Sequence, residues 1–270
     1  MPPELLIKAF VAGIVASIAC GLGVLPLMFR RMDPARHRGL GYAFAGGLMF
    51  AASVYNLILP ALQLPGLELP GPGEQSLPVI VLIVGGIMLG AMFLSTTDRH
   101  ISRVTLHADK VDAWGGRVGI LIFIAMAIHS IPEGVAVGVG YAAEYAEGVR
   151  GVFQDKAIGS YIAVAIAIHN IPEGLAVAVP MRSAGTSIPR CFGAAFLTSL
   201  PQPIAALPAA ALAWLFEPIM PVLMGFAAGA MIFLILIGLI PEALRTHSAR
   251  SIAWAFTIGF CLMVLMQVLI

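Results

Sequence analysis

The chain reads as an all-α, polytopic membrane protein: eight transmembrane helices with inverted internal repeats. Three observations predict this. First, 60% of the 270 residues are hydrophobic and only 11% are charged, with a mean hydropathy of +0.97. No water-soluble domain of this length needs that much apolar surface. Second, the apolar residues fall into eight runs long enough to cross a hydrocarbon core of about 30 Å, separated by charged or turn-forming connections. Third, Ile128-His129-Ser130-Ile131-Pro132-Glu133-Gly134 recurs 40 residues later as Ile168-His169-Asn170-Ile171-Pro172-Glu173-Gly174, and the flanks repeat with it (Ala125 and Ala127 with Ala165 and Ala167, Ala136 and Val137 with Ala176 and Val177).

The spans form one transmembrane domain over residues 1–270. The first, about residues 5–29, lacks the basic stretch that precedes a signal-peptide core; Arg30-Arg31 follows it instead, so it is a spanning helix. The second, about 40–62, has Pro60 near its end. A connection rich in Pro and Gly runs from Pro65 to Pro78 and holds Glu68 and Glu74. The third is about 79–97, before the longest polar stretch, Asp98–Arg117, with His100 and His107. The fourth and fifth, about 118–142 and 157–180, carry the repeated stretch and are joined by the acidic segment Glu144–Asp155. The sixth, about 191–216, is interrupted by Pro201, Pro203 and Pro208. The seventh, about 219–240, ends in Pro241-Glu242, and the eighth is about 252–270. Cys20, Cys191 and Cys261 are scattered in apolar runs, form no CxxC, and read as packing residues. A net charge of +1 without a basic tract gives no reason to expect nucleic acid as a partner.

Eight spans put both termini on one side. Twelve of the 15 Lys and Arg residues lie in the connections 1–2, 3–4, 5–6 and 7–8, leaving Lys8, Arg150 and Lys156 on the other side. The positive-inside rule makes the first side cytoplasmic. The chain is then integral to the cell (inner) membrane with both termini outside the cytoplasm. A second echo relates Ala43–Met49 to Gly225–Met231, each at the start of a span. In this topology the second and seventh spans run in opposite directions, as do the fourth and fifth. Repeats of opposed orientation with broken helices at mid-membrane depth mark secondary transporters.

The repeated stretch carries the chemistry. On a helix, i and i+4 share a face, so His129 is expected over Glu133 and His169 over Glu173, each pair aimed at one point. Pro132 and Pro172 offer no N–H to the carbonyls of Ile128 and Ile168, and Gly134 and Gly174 permit close helix approach. A carboxylate at the bilayer centre costs roughly 2.5–3.5 kcal/mol, and two together repel. A bound cation relieves both costs, and two imidazoles with two carboxylates suit Zn²⁺ or another first-row divalent ion.

HSIPEG and HNIPEG resemble the paired fourth- and fifth-helix signatures of the ZIP family of divalent metal transporters, in its bacterial branch. The resemblance implies eight helices and a metal site between the fourth and fifth. It also implies passage of Zn²⁺, and often Fe²⁺ or Mn²⁺, toward the cytoplasm. The metal is then substrate, with no resident cofactor, and the partners are divalent ions and the lipid bilayer. By the same resemblance Met49 matches the family's second-helix Met, whose thioether can reach the metal. Asn170 can line the path or a neighbouring second position, and Ser130 stands where the family often has Asn. Gln202 replaces a Glu that many members carry before a Pro in the sixth helix, and Ile237-Gly238 replaces an acidic pair that some have in the seventh. Ser130, Asn170 and Gln202 add no negative charge, so one divalent ion is balanced here and two are not. Glu242 is a candidate exit ligand, and His100 and His107 could catch metal from a loop. Gly85-Gly86 and Gly90 provide small-residue faces on which a homodimer could pair.

Two other readings fit less well. A zinc-protease helix needs H-E-x-x-H, two ligands and a separate base; here each helix supplies one His and one Glu, and no base is spare. A haem held by His129 and His169 would sit among two Glu and two Pro rather than in an apolar cleft.

Overall fold

The computed structural model describes residues 2–28, 34–62, 77–103, 116–144 and 158–269. Among these there are eight helical spans and no strand. They are α1 (Pro3–Leu22), α2 (Pro34–Ala52, continued by Ser53–Ile58 and Leu59–Ala61), α3 (Leu77–Arg103), α4 (Gly116–Glu144), α5 (Ile158–Ser183), α6 (Ile188–Ser199 and Pro201–Leu215), α7 (Met220–Leu234, continued by Ile235–Leu239 and Ile240–Leu244) and α8 (Ala249–Leu269). The connection with Glu68 and Glu74, His107, the acidic segment after Glu144, and the basic residues Arg30, Arg31, Lys110, Arg150 and Lys156 lie outside the described residues.

The spans pack as two bundles. α1, α4, α5 and α6 form one; α2, α3, α7 and α8 form the other; α4 meets α7 and α2 meets α5 along the seam. Lipid tails are as apolar as leucine, so helices in a bilayer associate through close packing of small residues. That is what each bundle shows. Gly86 and Gly90 of α3 lie against the carbonyls of Val222 and Phe226, and Gly225 and Gly229 of α7 against those of Ile83 and Ile87. Gly47 of α2 lies against Phe256 O, and Gly259 of α8 against Phe44 O. Gly134 and Gly138 of α4 receive Gln202 O and Ala206 O of α6, while Gly23 of α1 and Gly174 of α5 seat each other's helices. Among the described residues these glycine-to-carbonyl approaches all lie within a bundle; the seam is closed by side chains. Gly86 and Gly90 are therefore spent inside the chain, and Gly85 alone of that group meets nothing within 4 Å.

These contacts mirror one another. The residue offset that relates Met49 to Met231 also relates Gly47 to Gly229 and Phe44 to Phe226, and each pair meets matching places on α8 and α3. Both copies also break in the same way. Leu59 N–H reaches back five residues to Val54 O, and Ile240 N–H to Ile235 O, forming a π-helical turn before Pro60 and Pro241. A proline cannot donate to the carbonyl four residues earlier, and a one-residue π-bulge absorbs the mismatch.

Outward faces are apolar, as lipid requires: Val81, Val84, Met88 and Met92 on α3, and Trp254 and Ile258 on α8, are exposed. Helix boundaries differ from the sequence expectation at several ends, α2 beginning at Pro34 among them. α3 continues to Arg103, so Asp98 and His100 stand on a helix end rather than in a loop. His100 Nδ1 donates to Thr96 O at 2.7 Å, a bond within its own helix. α7 continues through Pro241 to Leu244, because proline is tolerated in the first turn of the new segment.

Candidate metal centre

Glu133 and Glu173 are the buried carboxylates among the described residues, at 1% and 3% exposure, and His169 is fully buried beside them. One donor atom from each of the three lies within 4.8 Å of the others. His169 Nε2 stands 3.4 Å from Glu133 Oε1. A tetrahedral ion with bonds of about 2.1 Å spaces its donors about 3.4 Å apart. The nearest pair is therefore already at ligand spacing.

A contact between the copies adds to the i, i+4 expectation, with His169 of one opposite Glu133 of the other. α4 and α5 are antiparallel, in a register that sets Gly140 against Ile162 and Gly159 against Tyr141. Four residues of helix rise about 6 Å, so His129 and Glu133 are neighbours one turn apart on one face of α4. The register brings Glu133 level with His169, and His129 level with Glu173. Each Glu faces the other copy's His. His129 stands outside the tight cluster; with Glu173 it lines the wall of an adjoining cavity.

Neighbouring helices complete the site, because prolines open their backbone. Pro203 has no N–H for the carbonyl of Ser199, and Ser17 Oγ of α1 donates to that carbonyl at 2.9 Å. Ser130 Oγ donates to Thr198 O at 2.9 Å and to Met126 O at 3.1 Å. Ser130 is thus turned to α6 and its own helix, away from Glu133. Asn170 Nδ2 donates to Ala16 O at 3.1 Å, to Gln202 Oε1 at 3.1 Å and to Ser199 Oγ at 3.4 Å. Gln202, fully buried, donates from Nε2 to Glu133 Oε2. Among the residues of this site, four buried polar atoms have no hydrogen-bond partner: His129 Nδ1, His169 Nδ1, Asn170 Oδ1 and Glu173 Oε1. Met49 is fully buried and faces His129, Pro132 and Glu133 across a narrow gap at the seam.

A cavity of about 170 Å³ leads away from the cluster. His129 and Glu173 line it, together with Asp98, on the exposed end of α3, Glu242, Tyr42, Met126 and Leu234. It runs toward the ends that carry the 1–2, 3–4, 5–6 and 7–8 connections. Glu242 also pairs with Arg245 at 3.1 Å. Asp98 went unnoticed in the sequence because it opens a polar stretch beside Arg99. Only the fold turns it to the same cavity as Glu242.

Residues 107–267 match the family model described as ZIP Zinc transporter. The chain belongs to the ZIP family. It is 30% identical over 260 residues to the zinc transporter GufA of Myxococcus xanthus, covering 93% of this chain and 96% of that one. It is 33% identical over 259 residues to the zinc transporter ZIPB of Bordetella bronchiseptica, covering 96% and 80%. It is 28% identical over 277 residues to the zinc transporter ZupT of Stenotrophomonas maltophilia R551-3, covering 96% and 94%. This ZIP protein is a metal transporter rather than an enzyme, and its buried carboxylates belong to an integral membrane protein.

Proposed function

We propose that this ZIP protein carries divalent transition-metal ions across the cell membrane toward the cytoplasm. Zn²⁺ is the foremost substrate, with Fe²⁺, Mn²⁺, Co²⁺ and Cd²⁺ admitted by the same donors. The ion binds between α4 and α5 to Glu133, His169 and Glu173, with Met49 and Asn170 Oδ1 at its flanks. His129 takes it over with Glu173 and passes it down the cavity toward Asp98 and Glu242. The observation that carries this reading is the cluster itself: two carboxylates and an imidazole, buried at the seam of two bundles, with no Lys or Arg among their hydrogen-bond partners. A cation offsets both their repulsion and their desolvation. The three relatives are named zinc transporters, which supports Zn²⁺ as substrate.

Charge supports the proposed direction. The cavity opens on the side holding twelve of the 15 basic residues, which the positive-inside rule makes cytoplasmic. A tag at either terminus should be accessible on intact cells, and a cysteine placed at Arg103 should be labelled only after permeabilisation. Labelling at Arg103 in intact cells would overturn the topology on which this direction rests. For transport itself, purified protein in liposomes should take up Zn²⁺ saturably, with competition from Cd²⁺ and Co²⁺. The Glu133→Ala, Glu173→Ala double variant should take up none above empty liposomes; full uptake by it would remove the site. We propose the outer face of α3, where Gly85 is open and Met88 exposed, as the place where two copies would pair. A Met88→Cys variant should cross-link as a dimer in membranes.

A further inference from the structure

We propose that Gln202 and Asn170 form an amide brace that holds Glu133 as a one-oxygen ligand and restricts the centre to a single ion. The proposal deepens the metal-site reading above and rests on it.

The direction of every bond in the brace can be derived. Ala16 O is a backbone carbonyl and can only accept, so Asn170 must present its NH₂ to it. The same NH₂ donates to Gln202 at 3.1 Å, so Gln202 must present its carbonyl there. Gln202 is then obliged to aim its NH₂ at Glu133 Oε2. Turning the Gln202 amide over would set oxygen against carboxylate and NH₂ against NH₂. Gln202 therefore acts here as a donor, and its carbonyl, already accepting from Asn170, is not available to a metal.

The consequence falls on Glu133. Its Oε1 faces His169 at 3.4 Å, the side on which an ion can be held. Its Oε2 is occupied by an N–H. Dinuclear carboxylate sites need carboxylates that bridge two ions about 3.5–4 Å apart. A donor on one oxygen competes with an ion for it, and so disfavours the bridge in which each oxygen holds one ion. The helix packing keeps the cap in place: a Cβ on Gly134 would run into Gln202 O, so the bare glycine next to Glu133 is what lets the Gln202 backbone come this close. Glu173 has no such cap, and its Oε1 is without a partner. Glu133 is the capped carboxylate and Glu173 the uncapped one. Gln202 is thus a positioning residue that sets stoichiometry.

Co²⁺ binding to the purified full-length protein tests this, read by calorimetry and by the visible ligand-field spectrum. The native protein should bind one Co²⁺ tightly. Gln202→Glu cannot donate to Glu133 and adds a charge, so it should bind two. Gln202→Met removes the donor without adding charge. It should keep one Co²⁺ with a shifted ligand-field band, because Oε2 is freed to join Oε1 on the ion. One Co²⁺ in Gln202→Glu together with an unshifted band in Gln202→Met would overturn the brace while leaving the metal site standing. Two tight Co²⁺ ions on the native protein would also overturn it. No saturable Co²⁺ on native protein or variants would remove the metal site and the brace together. Size-exclusion elution at the native position shows which variants are folded; Gln202→Met, which adds no buried charge, keeps the test decisive if Gln202→Glu aggregates.

Discussion

The two copies of the repeated stretch share a sequence and a geometry but not a neighbourhood. In the first, Ser130 donates to Thr198 O and Gly134 seats Gln202 O, both on α6. In the second, Asn170 donates to Ala16 O and Gly174 seats Cys20 O, both on α1. The offset that relates Ala16 to Thr198 relates Cys20 to Gln202, and it is the offset that relates Met49 to Met231. The frame is therefore two-fold, and α1 stands to α5 as α6 stands to α4. The residue beside each glycine breaks the symmetry. Gln202 reaches Glu133 with a donor. Cys20 offers Glu173 none, and its Sγ lies 3.8 Å from Thr198 Oγ1 instead. Repetition built the cage, and one unrepeated side chain made its two carboxylates unequal.

The inequality can be broken at several levels. The largest effect is expected from ligands. His169→Ala removes a donor from the tight cluster and should lower Zn²⁺ affinity by about 100-fold or more, beyond the 10–100-fold typical of groups that only support a ligand. His129→Ala, on the cavity wall, should change equilibrium affinity by less than about 10-fold and mainly slow uptake. Equal losses of affinity, measured by calorimetry on both variants, would make the two histidines equivalent and erase the comparison.

Next come the glycines. A Cβ on either meets a carbonyl oxygen of the facing helix, and such overpacking costs about 1–3 kcal/mol. Both Gly134→Ala and Gly174→Ala should melt earlier in detergent. Gly134→Ala should also weaken metal binding, since it pushes Gln202 off Glu133. Gly174→Ala should do so less. A larger affinity loss for Gly174→Ala would mean that α1, not α6, supports the site.

The smallest effect is expected at the matching polar pair. Ser130→Ala removes a hydroxyl that serves only backbone carbonyls. It should cost about 1 kcal/mol of stability with Zn²⁺ affinity retained. Asn170→Ala removes the donor that orients Gln202 and should lower affinity as well as the melting temperature. Thermal unfolding paired with calorimetry separates the two.

Much of the fold was legible because membrane insertion leaves few options. Apolar runs of spanning length, basic residues biased to one side, and a twice-written His–Pro–Glu–Gly stretch all act through local composition. Sequence also singled out Gln202 as unusual. It could not show the contact between the copies: i, i+4 spacing puts His129 and Glu133 on one face, and only the antiparallel register sets His169 opposite Glu133. Nor could it show that Ser130 turns away, or that Gly86 and Gly90 are spent inside the chain.

By itself, then, the sequence determined that this is a helical membrane protein of the ZIP kind with His and Glu buried on two helices, because hydrophobicity and helical period are properties of a strand of residues read one after another. Which donors converge, which carboxylate oxygen is capped, and that Asp98 and Glu242 line one cavity were decided only in the tertiary structure. Those relations depend on the depth at which one helix passes another, and that depth is set by where glycines let two backbones touch.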